Sequence, residues 1–333
     1  MKMTSATVLS PIADAGLWKQ ACCLRKQYWG NKVFLRGIIE FSNHCRQNCL
    51  YCGLRRSNST LFRYRLSKQQ IWECAGAVKR LGFGTVVLQA GEDPGFSIES
   101  IAEIVCKIKT DLNLAVTLSL GEWDAGAYSS WREAGADRYL LKLETMDEEL
   151  YARMRPGKSL VQRENALQEL RKLGYEVGSG LICGLPGQTR DSLKQGIQTL
   201  SRLKPDMFSI GPFQPHPQTP LCSAAPGSPE ETLEAMAYAR TLAPAAHIPV
   251  TSALGLYGNT TRLTALAVGN VLMPSLTPQS IRASYSIYPG KNAEAHDPEQ
   301  RAAQFTHMLL QAGFQPGQGP GGAWRLQNDS ENI

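Results

Sequence analysis

Three closely spaced cysteines offer the clearest chemistry in this chain of 333 residues. Cys45, Cys49 and Cys52 form a C-x3-C-x2-C pattern within residues 41–54, FSNHCRQNCLYCGL. Thiolates this close together can converge on one metal centre, and soft sulfur suits zinc or iron–sulfur clusters. A structural zinc site takes four ligands, usually as two C-x2-C pairs, and no second pair is present. The triad therefore favours a [4Fe–4S] cluster with three cysteine ligands and one open iron.

The remaining cysteines are scattered. The chain has nine in all, an odd number, and residues 1–20 show no basic start followed by an apolar run of signal length. We therefore expect a reduced, cytoplasmic protein rather than a disulfide framework. Because no cysteine follows Cys222, we expect one cluster only. No apolar run approaches the ~18 residues that span a bilayer, so we expect no membrane association.

Composition and charge narrow the function class further. Hydrophobic residues make up 43% and charged residues 19% of the chain, which is typical of a folded protein. The formal net charge is +6, but Lys and Arg look dispersed, with no basic run interleaved with aromatic residues. Nucleic-acid binding requires a concentrated basic patch, so we expect none.

The elements that must position the cysteines alternate between short β-rich runs and longer stretches of helical period. Eight such β runs predict a parallel sheet, and their number favours an α/β fold of the (β/α)8 TIM-barrel type over an open doubly wound sheet. Polar residues follow most runs, at the strand ends where barrel active sites lie. The runs are Ile38–Phe41, Thr85–Gln89, Ala115–Leu120, Arg138–Leu143, Val177–Cys183, Met207–Phe213, Ile248–Leu254 and Val271–Leu276.

The pattern predicts one domain with two flanking segments. Residues 1–37 are expected to form helices packed on the barrel, and residues 38–312 the barrel itself. Residues 313–333 are rich in Gly, Gln, Pro and Asn, which bury little apolar area. We therefore expect these residues to form a mobile tail.

The cysteine pattern, with an aromatic residue before its last cysteine and a predicted strand before the loop, resembles the radical SAM superfamily. That resemblance implies that the open iron binds the amino and carboxylate groups of S-adenosylmethionine (SAM). It also implies that one electron from the cluster cleaves SAM to a 5′-deoxyadenosyl radical. A low-potential cluster and a sheltered barrel mouth suit that chemistry.

Downstream segments narrow the resemblance to the HydE family of [FeFe]-hydrogenase maturases, within the set that contains biotin synthase and methylornithine synthase. The similarity covers about residues 35 to 292. It is carried by IEFSNHCRQNCLYCGLRRSNSTLFRYRL (39–66), VLQAGEDP (87–94), VTLSLGE (116–122), AGADRYLLKLET (134–145), GLPGQT (184–189), GPFQPHPQTPL (211–221), IPVTSALG (248–255), NVLMPSLTP (270–278) and YPGK (288–291).

The resemblance implies roles for particular residues. Cys45, Cys49 and Cys52 resemble the cluster ligands. Glu144 resembles the acid that holds the ribose hydroxyls, and Arg163 the arginine that meets the SAM carboxylate; both pairings are chemically sound. The remaining residues implied to contact SAM are Tyr51, Gln89, Gly91, Glu92, Asp93 and Ser119.

A second group of residues matches positions that line the family's substrate cavity. Arg138 is the expected partner of an anionic substrate and is counted among the catalytic residues. The others are Thr251, Ser252, Met273 and Tyr288.

The resemblance implies an enzyme that acts on a sulfur-containing, iron–carbonyl–cyanide–cysteine type of substrate. Its implied partners are that organometallic substrate, a low-potential electron donor and other hydrogenase maturases. Two alternatives stay open: a methylornithine-synthase-like amino-acid mutase, and a non-catalytic iron–sulfur carrier or scaffold. A biotin-synthase role is disfavoured, because its second cluster needs deep ligands where this chain offers only Cys183 and Cys106.

Overall fold

The computed structural model describes residues 11–292 and 297–328, and the bounds of its helices and strands are as follows. The strands are β1 (Lys32–Leu35), β2 (Gly37–Ser42), β3 (Thr85–Ala90), β4 (Ala115–Ser119), β5 (Arg138–Leu140), β6 (Glu176–Cys183), β7 (Met207–Pro212), β8 (Val271–Leu272) and β9 (Gln315–Pro316). The helices are α1 (Ala15–Trp29), α2 (Lys68–Arg80), α3 (Ile98–Leu112), α4 (Ala125–Glu133), α5 (Glu148–Met154), α6 (Leu160–Lys172), α7 (Arg190–Arg202), α8 (Pro229–Leu242), α9 (Ser252–Gly255), α10 (Asn259–Ala265), α11 (Gln279–Arg282), α12 (Pro298–Gln311) and α13 (Trp324–Asn328).

Six consecutive strands form one parallel ladder in the order β2-β3-β4-β5-β6-β7. Parallel neighbours require crossover connections, and the long helices between these strands supply them. In α3, Ile101, Ile104, Val105 and Ile108 recur at helical spacing and are all buried. That single apolar stripe explains why the helices lie on the outside of the ladder.

The ladder closes into a barrel through two further extended segments. Backbone bridges join Ile210 of β7 to Val250, Pro249 to Val271 of β8, and Ser275 back to Ile38 of β2. The predicted (β/α)8 barrel is therefore confirmed. Closure leaves no exposed edge in the ladder, so the strand ends gather around a single mouth.

The seventh predicted run is shorter than expected. Residues 247–250 are extended, but Thr251 caps the short helix α9, and its side chain accepts a hydrogen bond from the Leu254 amide. The β-branched side chain of threonine favours a strand, which is why the sequence predicted one here. Its hydroxyl can also accept a hydrogen bond from a free amide at a helix N-terminus. None of the described helices is long and apolar enough to cross a bilayer.

The two flanking segments meet at the end of the barrel opposite the mouth. Helix α1 is present as predicted, but β1 is a strand that the sequence did not predict, and it pairs with both β8 and β9. Residues 1–10 of the expected N-terminal helices lie outside the described residues, as do residues 329–333 of the expected tail.

The expectation of an unanchored tail is wrong for its described part. The backbone carbonyls of Pro320, Gly321 and Gly322 accept hydrogen bonds from buried side chains of the barrel, and the Ala323 amide donates to Glu176. Composition predicted mobility because the segment buries few apolar side chains. Its anchoring comes from backbone polar groups instead, which composition does not reveal.

His247 gives this end of the barrel a testable pH dependence. Its ring is buried against Trp29, accepts from the Asn270 side chain and donates to the Gly322 carbonyl. Burial first, and then the charge of Arg36, holds its pKa well below 6.5. The unfolded chain therefore binds one more proton than the folded chain below pH 6.5, and folding stability falls as pH drops through that value.

We expect the unfolding free energy of the wild type to fall by about 1 kcal/mol more between about pH 7 and pH 5.5 than that of His247→Gln. Urea unfolding of the metal-free proteins at both pH values measures this difference. An identical pH dependence in the two proteins would contradict a neutral, buried His247.

Candidate active site

The three cysteines lie where the first full barrel strand ends. After β2 the chain leaves the sheet as an irregular loop, and Cys45, Cys49 and Cys52 all line one cavity of about 380 Å³ at the barrel mouth. Gly91, at the end of β3, packs against this loop, and a Cβ atom there would lie 2.2 Å from the His44 carbonyl oxygen. The loop therefore depends on a residue without a side chain at position 91.

Burial raises the pKa of the Cys45 and Cys52 thiols. The thiols are thus protonated when nothing balances their charge, and a bound cationic metal centre would release those protons. Tyr51, between the last two cysteines, packs against an apolar cluster formed by Leu150, Met154, Leu185 and Phe213.

Next to the cysteine loop lies a dense cluster of opposite charges. Glu92, which is only 4% exposed, accepts hydrogen bonds from the side chains of Arg46 and Gln47 and from the Glu122 amide. The Arg155 guanidinium lies 3.7 Å from Glu92 and 3.3 Å from Glu122. Burial alone would raise the pKa of Glu122, but Arg163 and Arg155 lower it. The contacts also fix the loop geometry at the ends of β3 and β4.

Arg163 and Arg155 present two guanidinium groups to the cavity. Arg163 pairs with Glu122 and donates to the Lys142 carbonyl, and both arginines line the cavity wall. The Nε atom of Arg155 is buried, with no hydrogen-bond partner in the described parts of the chain. A buried unpaired donor is costly, so this atom suits an anionic ligand.

Glu144 adopts a strained backbone conformation. Its φ of +69° lies in the left-handed region that disfavours a side chain, at a cost of about 1 kcal/mol. Backbone hydrogen bonds to Gly180 and Ile182 of β6 impose this geometry. The carboxylate lines the cavity and lies 3.1 Å from the Lys142 ammonium group. Strain held by neighbouring structure is typical of a functional position.

Most of the predicted SAM and substrate residues share this cavity. Gln89 and Ser119, on neighbouring strands, are joined by a hydrogen bond of 3.2 Å between their side chains. Ser252 is hydrogen-bonded to the Tyr288 hydroxyl across the mouth. The predicted residues that line the cavity are Cys45, Cys49, Tyr51, Cys52, Gln89, Gly91, Glu92, Ser119, Glu144, Arg163, Thr251, Ser252, Met273 and Tyr288.

Asp93 does not line the cavity. Its carboxylate pairs with Arg65 at 2.7 Å and accepts from the Ser42 hydroxyl and the Gly95 amide. With its oxygens occupied by these donors, Asp93 ties the start of the loop after β3 to the segment after the cysteines. The structure gives it a positioning role instead of the predicted contact with SAM.

The expected role of Arg138 is also corrected. Arg138 begins β5, and its side chain lies at the closed end of the barrel, where it pairs with Glu176 at 3.0 Å. It also donates to the Thr85 hydroxyl and the Pro320 carbonyl. Arg138 is absent from the cavity lining, because residues at the amino end of a barrel strand face away from the mouth.

Arg138 should therefore affect stability without affecting substrate binding. Among the residues that the structure describes, replacing it with Met leaves the Ala323 amide as the remaining donor to the buried Glu176, at a cost of about 2 kcal/mol in unfolding free energy. Thermal unfolding followed by circular dichroism, together with the substrate KM of the folded variant, measures both effects. A tenfold rise in KM with unchanged stability would restore the original interpretation.

Several cavity residues were not predicted from the sequence. Lys142 stands two residues before Glu144 and so faces the same side of the chain, a spacing that could have identified it. Glu40 interrupts the apolar strand GIIEFS, which was a second available signal. Its carboxylate is completely buried and binds Lys291 and Asn292 from the other end of the barrel sequence.

Comparisons with known proteins agree with this site. Residues 39–200 match the Radical SAM superfamily. The chain is 44% identical to the [FeFe] hydrogenase maturase subunit HydE of Thermotoga maritima, over 94% of this chain and 90% of that protein. It is 33% identical to 3-methylornithine synthase of Methanosarcina acetivorans, over 76% and 73% of the two chains.

Solved structures agree in fold. The crystal structure of methylornithine synthase (PylB) superposes with a TM-score of 0.83 at 30% identity, covering 95% of this chain and 90% of that one. The structure of HydG, a maturase of the [FeFe]-hydrogenase, gives a TM-score of 0.77 at 19% identity, over 95% and 73% of the chains. The radical SAM superfamily uses a [4Fe–4S] cluster and SAM, which suits the three cysteines at the barrel mouth. With its barrel, its cysteine loop and its similarity to HydE over nearly its whole length, the chain belongs to the radical SAM superfamily of enzymes and is a HydE homologue.

Proposed function

We propose that this enzyme acts as a HydE-type maturase on an anionic, sulfur-containing iron–carbonyl–cyanide–cysteine species during assembly of a hydrogenase di-iron centre. The single observation that carries the substrate class is the charge of the cavity lining. Six cationic side chains line the cavity against three carboxylates, and Glu122, behind the lining, pairs with Arg155 and Arg163. Positive charge remains in excess, which suits a substrate with negative charge. The six are Lys142, Arg155, Arg163, Arg262, Lys291 and Arg301; the three are Glu40, Glu92 and Glu144.

The residues present fit the superfamily's cofactors. Three soft thiols from one loop line the cavity, and so do a guanidinium with a buried, unpaired Nε and a carboxylate in a strained conformation. When bound at the cysteines, the reduced cluster supplies the electron that cleaves SAM to methionine and a 5′-deoxyadenosyl radical. Cys45, Cys49 and Cys52 would hold the cluster.

Each remaining group has a defined task in this proposal. Glu144 accepts the ribose hydroxyls, for which a carboxylate has two acceptor oxygens. Arg163 and Arg155 bind the two oxygens of the SAM carboxylate. Because both guanidinium groups pair with Glu122 in this structure, they shift away from it to do so. The barrel walls exclude water from the reacting atoms, and Ser252 with Tyr288 closes part of the mouth.

Lys142 replaces Arg138 as the proposed anchor of the substrate. It lies in the cavity beside the ribose-binding carboxylate, and its side chain is only about one quarter exposed. We expect Lys142→Met to raise the substrate KM by roughly 10- to 100-fold, as loss of a partly buried charge-assisted contact of about 1.5–3 kcal/mol predicts. Lys142→Arg should recover most of the loss. A KM that is unchanged in Lys142→Met would remove Lys142 from the substrate site.

The alternative function is an amino-acid mutase like methylornithine synthase, which the similarity to PylB favours. The charge of the cavity argues against it, because a lysine substrate would bring a side-chain ammonium group into a lining that already carries excess positive charge. A scaffold role needs no ribose carboxylate or carboxylate-binding arginine, and the presence of Glu144 and Arg163 in the cavity lining argues against it.

The decisive experiment offers both substrates to one preparation. The cluster-loaded enzyme is incubated anaerobically with dithionite, SAM and either a synthetic iron–carbonyl–cyanide–cysteine complex or L-lysine. We expect the iron complex alone to accelerate 5′-deoxyadenosine formation and to be consumed. Formation of 3-methylornithine from lysine would replace the proposal with the mutase function, and SAM binding without cleavage would favour the scaffold.

A further inference from the structure

The positive charge of this protein is concentrated around the cysteine loop. Residues 41–72 contain six Lys and Arg residues and no Asp or Glu, whereas the rest of the chain contains 29 of each sign. The dispersion expected from the sequence is therefore wrong, because the whole net charge of +6 resides in this one segment. Such a local field attracts acidic molecules to one face of the protein.

Three of these six charges have carboxylate partners, and three do not. Arg46 pairs with Glu92, Arg65 with Asp93, and Lys68 with Glu103. Within residues 11–292 and 297–328, no carboxylate pairs with the remaining three, which are Arg55, Arg56 and Arg63.

An exposed aromatic ring lies in the same segment as these three arginines. Phe62 is 69% exposed, the largest exposed fraction among the large hydrophobic side chains that the structure describes. It precedes Arg63, whose guanidinium donates to the carbonyls of Asn43, Leu54, Arg55 and Asn58 and so holds this part of the chain in place. Aromatic rings and arginines on a rigid surface are the residues enriched where proteins bind each other.

We define Arg55, Arg56, Phe62 and Arg63 as the cluster-loop face. None of these residues lines the cavity, yet the segment packs directly on the cysteine loop. The Arg56 amide donates to the Gln47 carbonyl, and the Arg55 amide to the Cys52 carbonyl. The face thus lies directly against the cysteine loop and outside the cavity lining.

We propose that the cluster-loop face docks a small acidic one-electron carrier protein, which reduces the cluster without entering the substrate cavity. The proposal rests on the proposed function to the extent that the cysteines hold a redox cluster. The reduced carrier would give one electron to the cluster, so the carrier is oxidised by one electron and the cluster is reduced by one. Positive potential and one exposed aromatic anchor favour a transient complex that forms quickly and depends on salt.

The test compares two reductants. A recombinant acidic flavodoxin, fully reduced, or dithionite drives 5′-deoxyadenosine formation by the cluster-loaded enzyme. We expect the double variant Arg56→Glu/Phe62→Ser to lose on the order of tenfold in the flavodoxin-driven rate at limiting carrier, and to keep its dithionite-driven rate. Lys172→Glu, a charge reversal at the carboxyl end of α6 where the side chain is 73% exposed, serves as the matched control and should change neither rate.

A direct binding measurement provides a readout besides activity. Flavodoxin immobilised on a biosensor should bind the wild type with a Kd that rises steeply between about 50 and 300 mM NaCl, and bind the double variant at least about tenfold more weakly at low salt. Absence of binding, a Kd independent of salt, equal behaviour of the double variant and Lys172→Glu, or equal losses with both reductants would each overturn the proposal. Because dithionite-driven SAM cleavage is measured in the same preparation, a failed carrier assay is distinguishable from a failed enzyme.

Discussion

Replacing Cys49 with Ala should reduce 5′-deoxyadenosine formation by the reconstituted enzyme to the level of a protein-free control. Cys45, Cys49 and Cys52 line the same cavity from one loop, and each is expected to ligate a different iron. Removal of one thiolate leaves an iron without its protein ligand, so the cluster is lost or cannot bind SAM productively. Anaerobic reconstitution, iron analysis and chromatography of the nucleoside product measure both outcomes.

Cys222→Ala provides the matched control. Cys222 is exposed and lies outside the cavity lining, so the same substitution there should leave both iron content and SAM cleavage unchanged. The wild type should carry about four irons per chain, as one [4Fe–4S] cluster requires. Nearly normal SAM cleavage by Cys49→Ala would refute the assignment, and about eight irons per wild-type chain would show a second cluster.

The parts of the site that sequence reasoning predicted are those that local pattern determines. The cysteine loop is contiguous in sequence, so its spacing alone indicated the cluster. The positions of Gln89 and Ser119 followed from the barrel itself, because neighbouring strands end at the same mouth. Alternation of short apolar runs and amphipathic helices was sufficient to predict the eight extended segments of the barrel, although the seventh is not a regular strand and β1 and β9 were not predicted.

Arg138 was misplaced because a strand has two ends. It stands six residues before Glu144, which corresponds to about 20 Å of extended chain. The prediction placed both residues at one β run, and that run does contain a strand. It did not distinguish the end of the strand at the mouth from the end opposite the mouth. Its position at the start of that run was itself the signal, since the amino ends of barrel strands serve stability.

The C-terminal segment could not have been assigned from its composition. Its anchors are Arg36, Arg138 and Glu176, which lie between 147 and 285 residues away along the chain. Such long-range polar contacts leave no local periodicity. The same limit hid the partners of Glu40, although its place within an apolar strand was visible.

Glu40→Leu should cost about 3–5 kcal/mol of unfolding free energy, because it leaves Lys291 buried without its counter-charge. The Lys291 ammonium lies 2.6 Å from the Glu40 carboxylate and is only 5% exposed, and Ser275, Thr277 and Asn292 also donate to this carboxylate. Burial alone would raise the pKa of Glu40, but Lys291, Ser275 and Thr277 lower it to about 2. The carboxylate is therefore ionised throughout the working pH range, and Leu supplies none of its contacts.

The double variant Glu40→Leu/Lys291→Met distinguishes two contributions to the loss of stability: the loss of the ion pair itself, and the cost of leaving the Lys291 charge buried without a partner. Replacing both partners of a buried pair with apolar residues is often nearly neutral, so the double variant should unfold at a midpoint closer to the wild type than Glu40→Leu does. Thermal unfolding of the metal-free proteins followed by circular dichroism measures this coupling. Additive losses would show that Lys291 is stabilised by other groups, such as the face of Tyr285.

The same network should also affect the active site. Lys291 and Asn292 follow Tyr288 closely in sequence, and all three line the cavity. Glu40 binds two of them from the first strand of the ladder, so it holds the last barrel segment against the mouth. Because Lys291 is itself one of the cavity cations, the readout is Glu40→Gln, which keeps Lys291. This variant should show a higher substrate KM than the wild type, whereas a purely structural network would lower stability and leave KM unchanged.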